Sequence, residues 1–291
     1  MCDEPTPAEL AAAPAVSRRQ FALIGTAAVL AACQGTDVSG AGGPAGKAVR
    51  EAAVMVPTPD GRADALFFHP PSGRHPGVVM WPDIAGIREA SRAMARRLAA
   101  EGYAVLLVNP YYRGARAPVL ASLAEWRTPE GQARLKPLIA AITPEGTTRD
   151  GGAFVAWLDS RPEVDKARGI GSNGYCMGGP FAVRTALAAP GRVGAVASLH
   201  GGGLVLDATD SPHRLLGQTR ASFLFAIGRN DDARSPGDKD ALKAAAAAAH
   251  RPAEVEVYAA DHGWTVPDSP VYNPAEAERA WARMVALFAR L

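Results

Sequence analysis

The sequence predicts an α/β domain, a mostly parallel sheet with helices on both faces. Three observations carry this. From about residue 50 onward, β-like and helical segments alternate. The β-like segments are short, nearly unbroken apolar runs, as expected for strands buried on both sides. The stretch Gly174-Tyr175-Cys176-Met177-Gly178-Gly179 joins one such run to a helical pattern, which reads as a sharp strand-turn-helix connection.

The elements follow in chain order. Segments near 52–56 and 65–69 are β-like, and Thr58-Pro59-Asp60-Gly61 between them is a hairpin turn signal. Residues 77–81 form an apolar strand. Residues 88–100 are amphipathic, with Ile87, Met94 and Leu98 on one face. Residues 104–108 are a further buried strand. Residues 113–144 are irregular and proline-containing, suited to an excursion or lid over a site. A helix at 150–158 precedes the strand at 169–172, and a helix at 180–189 follows the glycine-rich turn. Strands recur at 193–199, 222–227 and 254–258, and helices at 239–250 and 275–290. Such a sheet sets its loops along the C-terminal edge of the strands, where active sites of open α/β sheets lie.

Gly-Tyr-Cys-Met-Gly has the Gly-x-nucleophile-x-Gly pattern of the α/β-hydrolase elbow, with a thiol in place of the usual hydroxyl. Its glycines are explained by crowding, because the nucleophile occupies a strained turn that larger side chains would block. A thiol with a reference pKa of about 8.5 is mostly protonated at neutral pH, so Cys176 needs a base. His262, in Asp261-His262-Gly263-Trp264 after the last strand, has the position for it. The acid belongs after the preceding strand, where Gly228-Arg229-Asn230-Asp231-Asp232 offers two aspartates. Asp231 has the usual spacing, and Asp232 is the alternative. This acid would fix the imidazole tautomer.

An oxyanion hole would use the backbone N–H groups of Met177 and of Ile84, the latter in the loop Trp81-Pro82-Asp83-Ile84-Ala85-Gly86. His200-Gly201-Gly202-Gly203 resembles the HGGG motif of lipases but follows the nucleophile instead of preceding it. It is read as a strand-end turn bordering the pocket. His200 and Trp81, both at strand ends, are substrate-binding candidates.

The N-terminal region reads as an address. Ser17-Arg18-Arg19-Gln20-Phe21 resembles a twin-arginine export signal, and the charge-free run 21–32 is too short to span a bilayer. Leu30-Ala31-Ala32-Cys33 resembles a lipobox with Cys33 as the lipidated residue, and the Gly/Ser-rich stretch after it suits a tether. The expected organisation is an export signal at 1–33, a flexible linker at 34–49 and one domain at 50–291. The expected location is the periplasm or a membrane, reached by the twin-arginine route and held only through the Cys33 lipid. With Cys2 and Cys33 outside the domain, Cys176 has no partner for an intramolecular disulfide there.

A net charge of +2, without a basic block interleaved with aromatics, gives no support for nucleic-acid binding. No metal site is expected, and the domain is expected to be a monomer or a weak homo-oligomer.

Taken together, the cysteine elbow, Asn230-Asp231-Asp232, Asp261-His262-Gly263-Trp264 and the closing Tyr272…Trp281 pattern resemble the dienelactone hydrolase family over essentially all of 50–291. The resemblance implies hydrolysis of a small ester or lactone through a thioacyl-enzyme, without a cofactor. It also implies Cys176 as nucleophile, His262 as base and Asp231 as acid. Well-known members carry a glutamate at the position of Asp83 that helps activate the thiol, so Asp83 inherits that role with one methylene less. Arg113, in Asn109-Pro110-Tyr111-Tyr112-Arg113, matches one of two arginines that hold a substrate carboxylate, and nothing near His262 supplies the second. Acyl transfer shares the same intermediate, and a non-catalytic ligand-binding protein on the same fold is the alternative of a different class.

Overall fold

A computed structural model describes residues 47–291. The leader 1–33, Cys33 and nearly all of the linker 34–49 therefore lie outside the described residues. The sheet has eight strands, β1 (Arg50–Thr58), β2 (Gly61–His69), β3 (Gly77–Trp81), β4 (Ala104–Val108), β5 (Ile170–Tyr175), β6 (Val193–Leu199), β7 (Ser222–Gly228) and β8 (Ala253–Tyr258). Their order across the sheet is β1-β2-β4-β3-β5-β6-β7-β8. β1 and β2 form the expected hairpin, β2 runs antiparallel to β4, and every pairing from β4 through β8 is parallel.

The apolar runs are explained by burial on both faces. Along β3, Val78 and Met80 enter one core cluster while Val79 and Trp81 enter the other. Helices α1 (Glu89–Ala100) and α8 (Pro274–Phe288) close the first face with Met94, Leu98, Met284 and Phe288. Helices α3 (Pro144–Asp159), α4 (Gly178–Ala188) and α7 (Asp238–Ala248) close the second with Phe154, Leu158, Val183 and Leu242. Each fully buried Leu, Val or Phe contributes roughly 1.5–3 kcal/mol.

Strands were legible to within a residue or two at most ends, whereas the excursion was not. It holds a 3-10 turn (Leu123–Arg127) and a helix, α2 (Pro129–Ala140). Thr128 caps α2 by accepting from the Gly131 N–H at 3.0 Å, and Pro129 occupies its first turn, where no N–H is needed. Pro137 within the helix concealed it from periodicity. Likewise α3 starts at Pro144, capped by Thr143, well before the stretch expected from the pattern. Two short helices, α5 (Pro212–Leu215) and α6 (Arg229–Arg234), complete the set. No described helix is long and apolar enough to cross a membrane.

The chain order reverses between β3 and β5, with β4 on one side of β3 and β5 on the other. Ligand sites of open α/β sheets lie outside the strand C-termini at such a point. The loops after β3, β5, β6, β7 and β8 all open there.

Candidate active site

Cys176 sits at the apex between β5 and α4 with φ of +52°, a left-handed conformation uncommon for a non-glycine residue and costing roughly 1–3 kcal/mol. Its neighbours explain the glycines. A Cβ on Gly174 would stand 1.9 Å from the Gly178 carbonyl oxygen, and one on Gly178 would stand 2.6 Å from that of Pro82. The elbow therefore closes only with hydrogen at both positions.

His262, in the loop after β8, points Nε2 at Cys176 Sγ across 3.1 Å. Its Nδ1 lies 2.8 Å from Asp231 Oδ2, in the first turn of α6 directly after β7. Asn230 fixes the same loop by accepting the His262 backbone N–H at 2.8 Å. Asp232 turns away and takes Lys239 Nζ at 2.6 Å, so the two aspartates are separated by the partners they face. Burial by itself would lower the His262 pKa. Hydrogen bonds to Asp231 and Cys176, with the charges on both, outweigh it and raise the pKa to about 10.

Met177 follows the thiol in the chain, and Ile84 packs with Met177 against one apolar cluster. Among the described residues neither of their backbone N–H groups has a hydrogen-bond acceptor. Tyr111 ties both to the lid: its hydroxyl donates to the Ile84 carbonyl at 2.6 Å and reaches Met177 Sδ at 3.7 Å. Burial pushes this phenol's pKa up, so it stays a donor. Ala85, Tyr111, Val119, Leu120 and Leu135 form a third apolar cluster, with Ile84 and Met177 packed against it. The excursion is thus a cover anchored beside the elbow. Tyr111 escaped sequence reading, since a tyrosine after a strand carries no signal of its own.

Three of the expected side chains are engaged by other partners. Asp83 is 4% exposed, and among the described residues it makes no hydrogen bond to the thiol. Arg88 donates to both its oxygens, at 2.7 and 2.8 Å, and the Ala85 N–H donates to one of them as well. Arg88 also donates twice to Asp268, which in turn accepts the Leu123 N–H, so one guanidinium fastens the loops after β3 and β8 and, through Asp268, the lid. Arg113 is spent on Asp60 and Asp150, with its guanidinium over Tyr112. Trp81 is fully buried, donates to Thr185 Oγ1 and packs edge-on against Phe154 and Phe181, out of a substrate's reach.

His200 borders the site from beneath. It is 1% exposed with φ of +43°. Its Nδ1 accepts the Cys176 backbone N–H at 3.1 Å, and its Nε2 faces Thr265 Oγ1 at 2.8 Å. The ring meets that of His262 edge-on at 5.0 Å. Burial, assisted by the neighbouring His262, holds its pKa well below the usual imidazole range. It is a neutral packing partner of the elbow.

The dienelactone hydrolase family model matches residues 63–291. The chain belongs to the dienelactone hydrolase family. Among its relatives, the "Putative carboxymethylenebutenolidase" of Salmonella typhimurium is 27% identical over 259 residues, covering 82% of this chain and 92% of the relative. The protein of the same description from Escherichia coli K12 is 27% identical over 257 residues, covering 81% and 91%. In fold it resembles the "Putative Dienelactone Hydrolase" of Klebsiella pneumoniae, with a TM-score of 0.72 at 23% identity, covering 84% of this chain and all of that one. This member of the family is a carboxylic-ester hydrolase of the dienelactone hydrolase type.

Proposed function

We propose that this dienelactone hydrolase-type enzyme cleaves small esters or lactones with Cys176 as nucleophile, His262 as proton carrier and Asp231 as its orienting acid. The supporting observation is the continuous line from Asp231 Oδ2 through His262 to Cys176 Sγ, with steps of 2.8 and 3.1 Å. The thiol proton passes to His262 Nε2 as sulfur attacks the carbonyl carbon, and the resulting oxyanion is held by the N–H groups of Met177 and Ile84. Collapse breaks the bond to the leaving oxygen, which takes the proton from His262 Nε2. His262 then removes a proton from water, which attacks the thioester. The carbon–sulfur bond breaks, the acid leaves, and sulfur recovers a proton from His262.

The test uses p-nitrophenyl acetate and a lactone panel on the native protein, Cys176→Ala and His262→Ala. Hydrolysis confined to the native protein supports the reading, and equal rates in all three remove it. The address is part of the proposal. Arg18-Arg19 directs export, and Cys33 carries the lipid that holds the enzyme at a membrane.

A further inference from the structure

A substrate carboxylate needs a cation that is free to receive it, because a half-buried charge left unpaired costs several kcal/mol. Outside the lid, the cations on the loops after β3, β4 and β7 named below are already engaged. Arg88, its side chain 1% exposed, serves Asp83 and Asp268 together, and one guanidinium against two carboxylates leaves that corner with surplus negative charge. Arg113 serves Asp60 and Asp150. Arg229 faces Asp261, Lys239 faces Asp232, and Arg234 approaches Asp231 at 3.6 Å. On the lid, Arg116, Arg127 and Lys136 make no ion pair among the described residues, and all three are exposed to water.

The wall beside the oxyanion residues is of the opposite character. Leu123, Trp126 and Ile139 of the lid pack, half-buried, on the same apolar cluster as Ile84 and Met177. They retain apolar area for a ligand to cover, at about 0.8 kcal/mol per buried CH₂.

From these two observations we infer that the site selects uncharged esters with an apolar acyl chain over substrates that carry a free carboxylate. The inference rests on the hydrolase reading above and narrows its substrate class. The acyl chain lies against Trp126 and Leu123, and the carbonyl oxygen faces Met177 and Ile84.

The test compares p-nitrophenyl hexanoate with mono-p-nitrophenyl adipate, two esters that differ at the chain end in a methyl against a carboxylate, on the full chain. The hexanoate is expected to lead in kcat/KM by at least about tenfold, which corresponds to 1.4 kcal/mol. Trp126→Ala is expected to lower the hexanoate-to-acetate ratio. Equal rates, or a lead for the adipate, overturn the inference. An adipate lead lost in Arg113→Gln or in the joint Arg116, Arg127 and Lys136→Gln variant identifies the cation that was overlooked. Turnover of neither ester counts against the hydrolase reading. Selectivity is then read from protection of Cys176 against iodoacetamide. Hexanamide is expected to protect at a concentration at least about tenfold below that of adipamate, and the reverse order overturns the inference.

Discussion

The backbone N–H of Cys176 is shared between Nδ1 of His200 and the Leu199 carbonyl, each at 3.1 Å, so the residue at the apex favours the His200 tautomer whose Nδ1 accepts. With Nδ1 accepting, the ring proton sits on Nε2 and is donated to Thr265 Oγ1. Two non-glycine residues with positive φ, Cys176 and His200, thereby hold each other in place. His200→Asn keeps an acceptor near the apex and a side chain that tolerates the left-handed region. His200→Leu keeps neither. We expect His200→Leu to lower kcat by about ten- to a hundredfold through misplacement of the sulfur, and Asn to recover most of it. Steady-state rates at matched thermal stability check this. A Leu variant with native kcat contradicts it.

The Arg88 clamp gives a stability prediction. Arg88→Met leaves the carboxylate of Asp83 buried and uncompensated, at a cost of about 3–5 kcal/mol. Arg88→Lys should rescue little, since an ammonium cannot serve two carboxylates with paired donors. Denaturant unfolding of the three proteins reads this directly. In the same series Asp83→Asn should change stability more than the alkylation rate of Cys176, because Asp83 is joined to Arg88 and not to sulfur.

The pH behaviour follows from His262. Its folded pKa of about 10 lies above the ordinary 6.5, so the contribution of its charged form to stability is complete below pH 6.5 and lost as pH rises through 10. In the proposed mechanism, the proton that His262 would give to a leaving alkoxide is lost over the same range. Acyl transfer from alkyl esters should therefore decline near pH 10. Asp231→Asn removes one of the hydrogen bonds that raise the value and should move that limb downward by about a unit or more. A pH–rate profile with an unmoved limb contradicts the assignment of Asp231.

For the address, Arg18-Arg19→Lys-Lys should retain the precursor in the cytoplasm, and Cys33→Ala should release an exported form from the membrane fraction. Immunoblots of cell fractions report both. Unchanged fractionation counts against the twin-arginine and lipobox readings.

Much of this architecture was legible because strands buried on both faces leave unbroken apolar runs, as in Gly77–Trp81 and Ala104–Val108. That Cys176, His262 and Asp231 meet was legible through loop order, since each follows its own strand at one edge. Side-chain partnerships were not. Whether Asp83 meets sulfur or Arg88 depends on a guanidinium five residues on, which residue spacing does not report. Arg113 matched a family position, yet the hairpin turn and α3 bring it Asp60 and Asp150, a long-range pairing invisible in a local motif. Trp81 closed its strand as a pocket residue would, and only the packing of α3 and α4 reveals that it is enclosed.

Rapid quenching of the enzyme with p-nitrophenyl hexanoate, followed by intact-mass and peptide mass spectrometry, measures the central claim. The account predicts an acyl mass addition on the peptide carrying Cys176. It should be released by hydroxylamine, persist longer in His262→Ala wherever it forms, and be absent in Cys176→Ala. Hydrolysis that continues in Cys176→Ala, or an acyl group trapped on another residue, contradicts it.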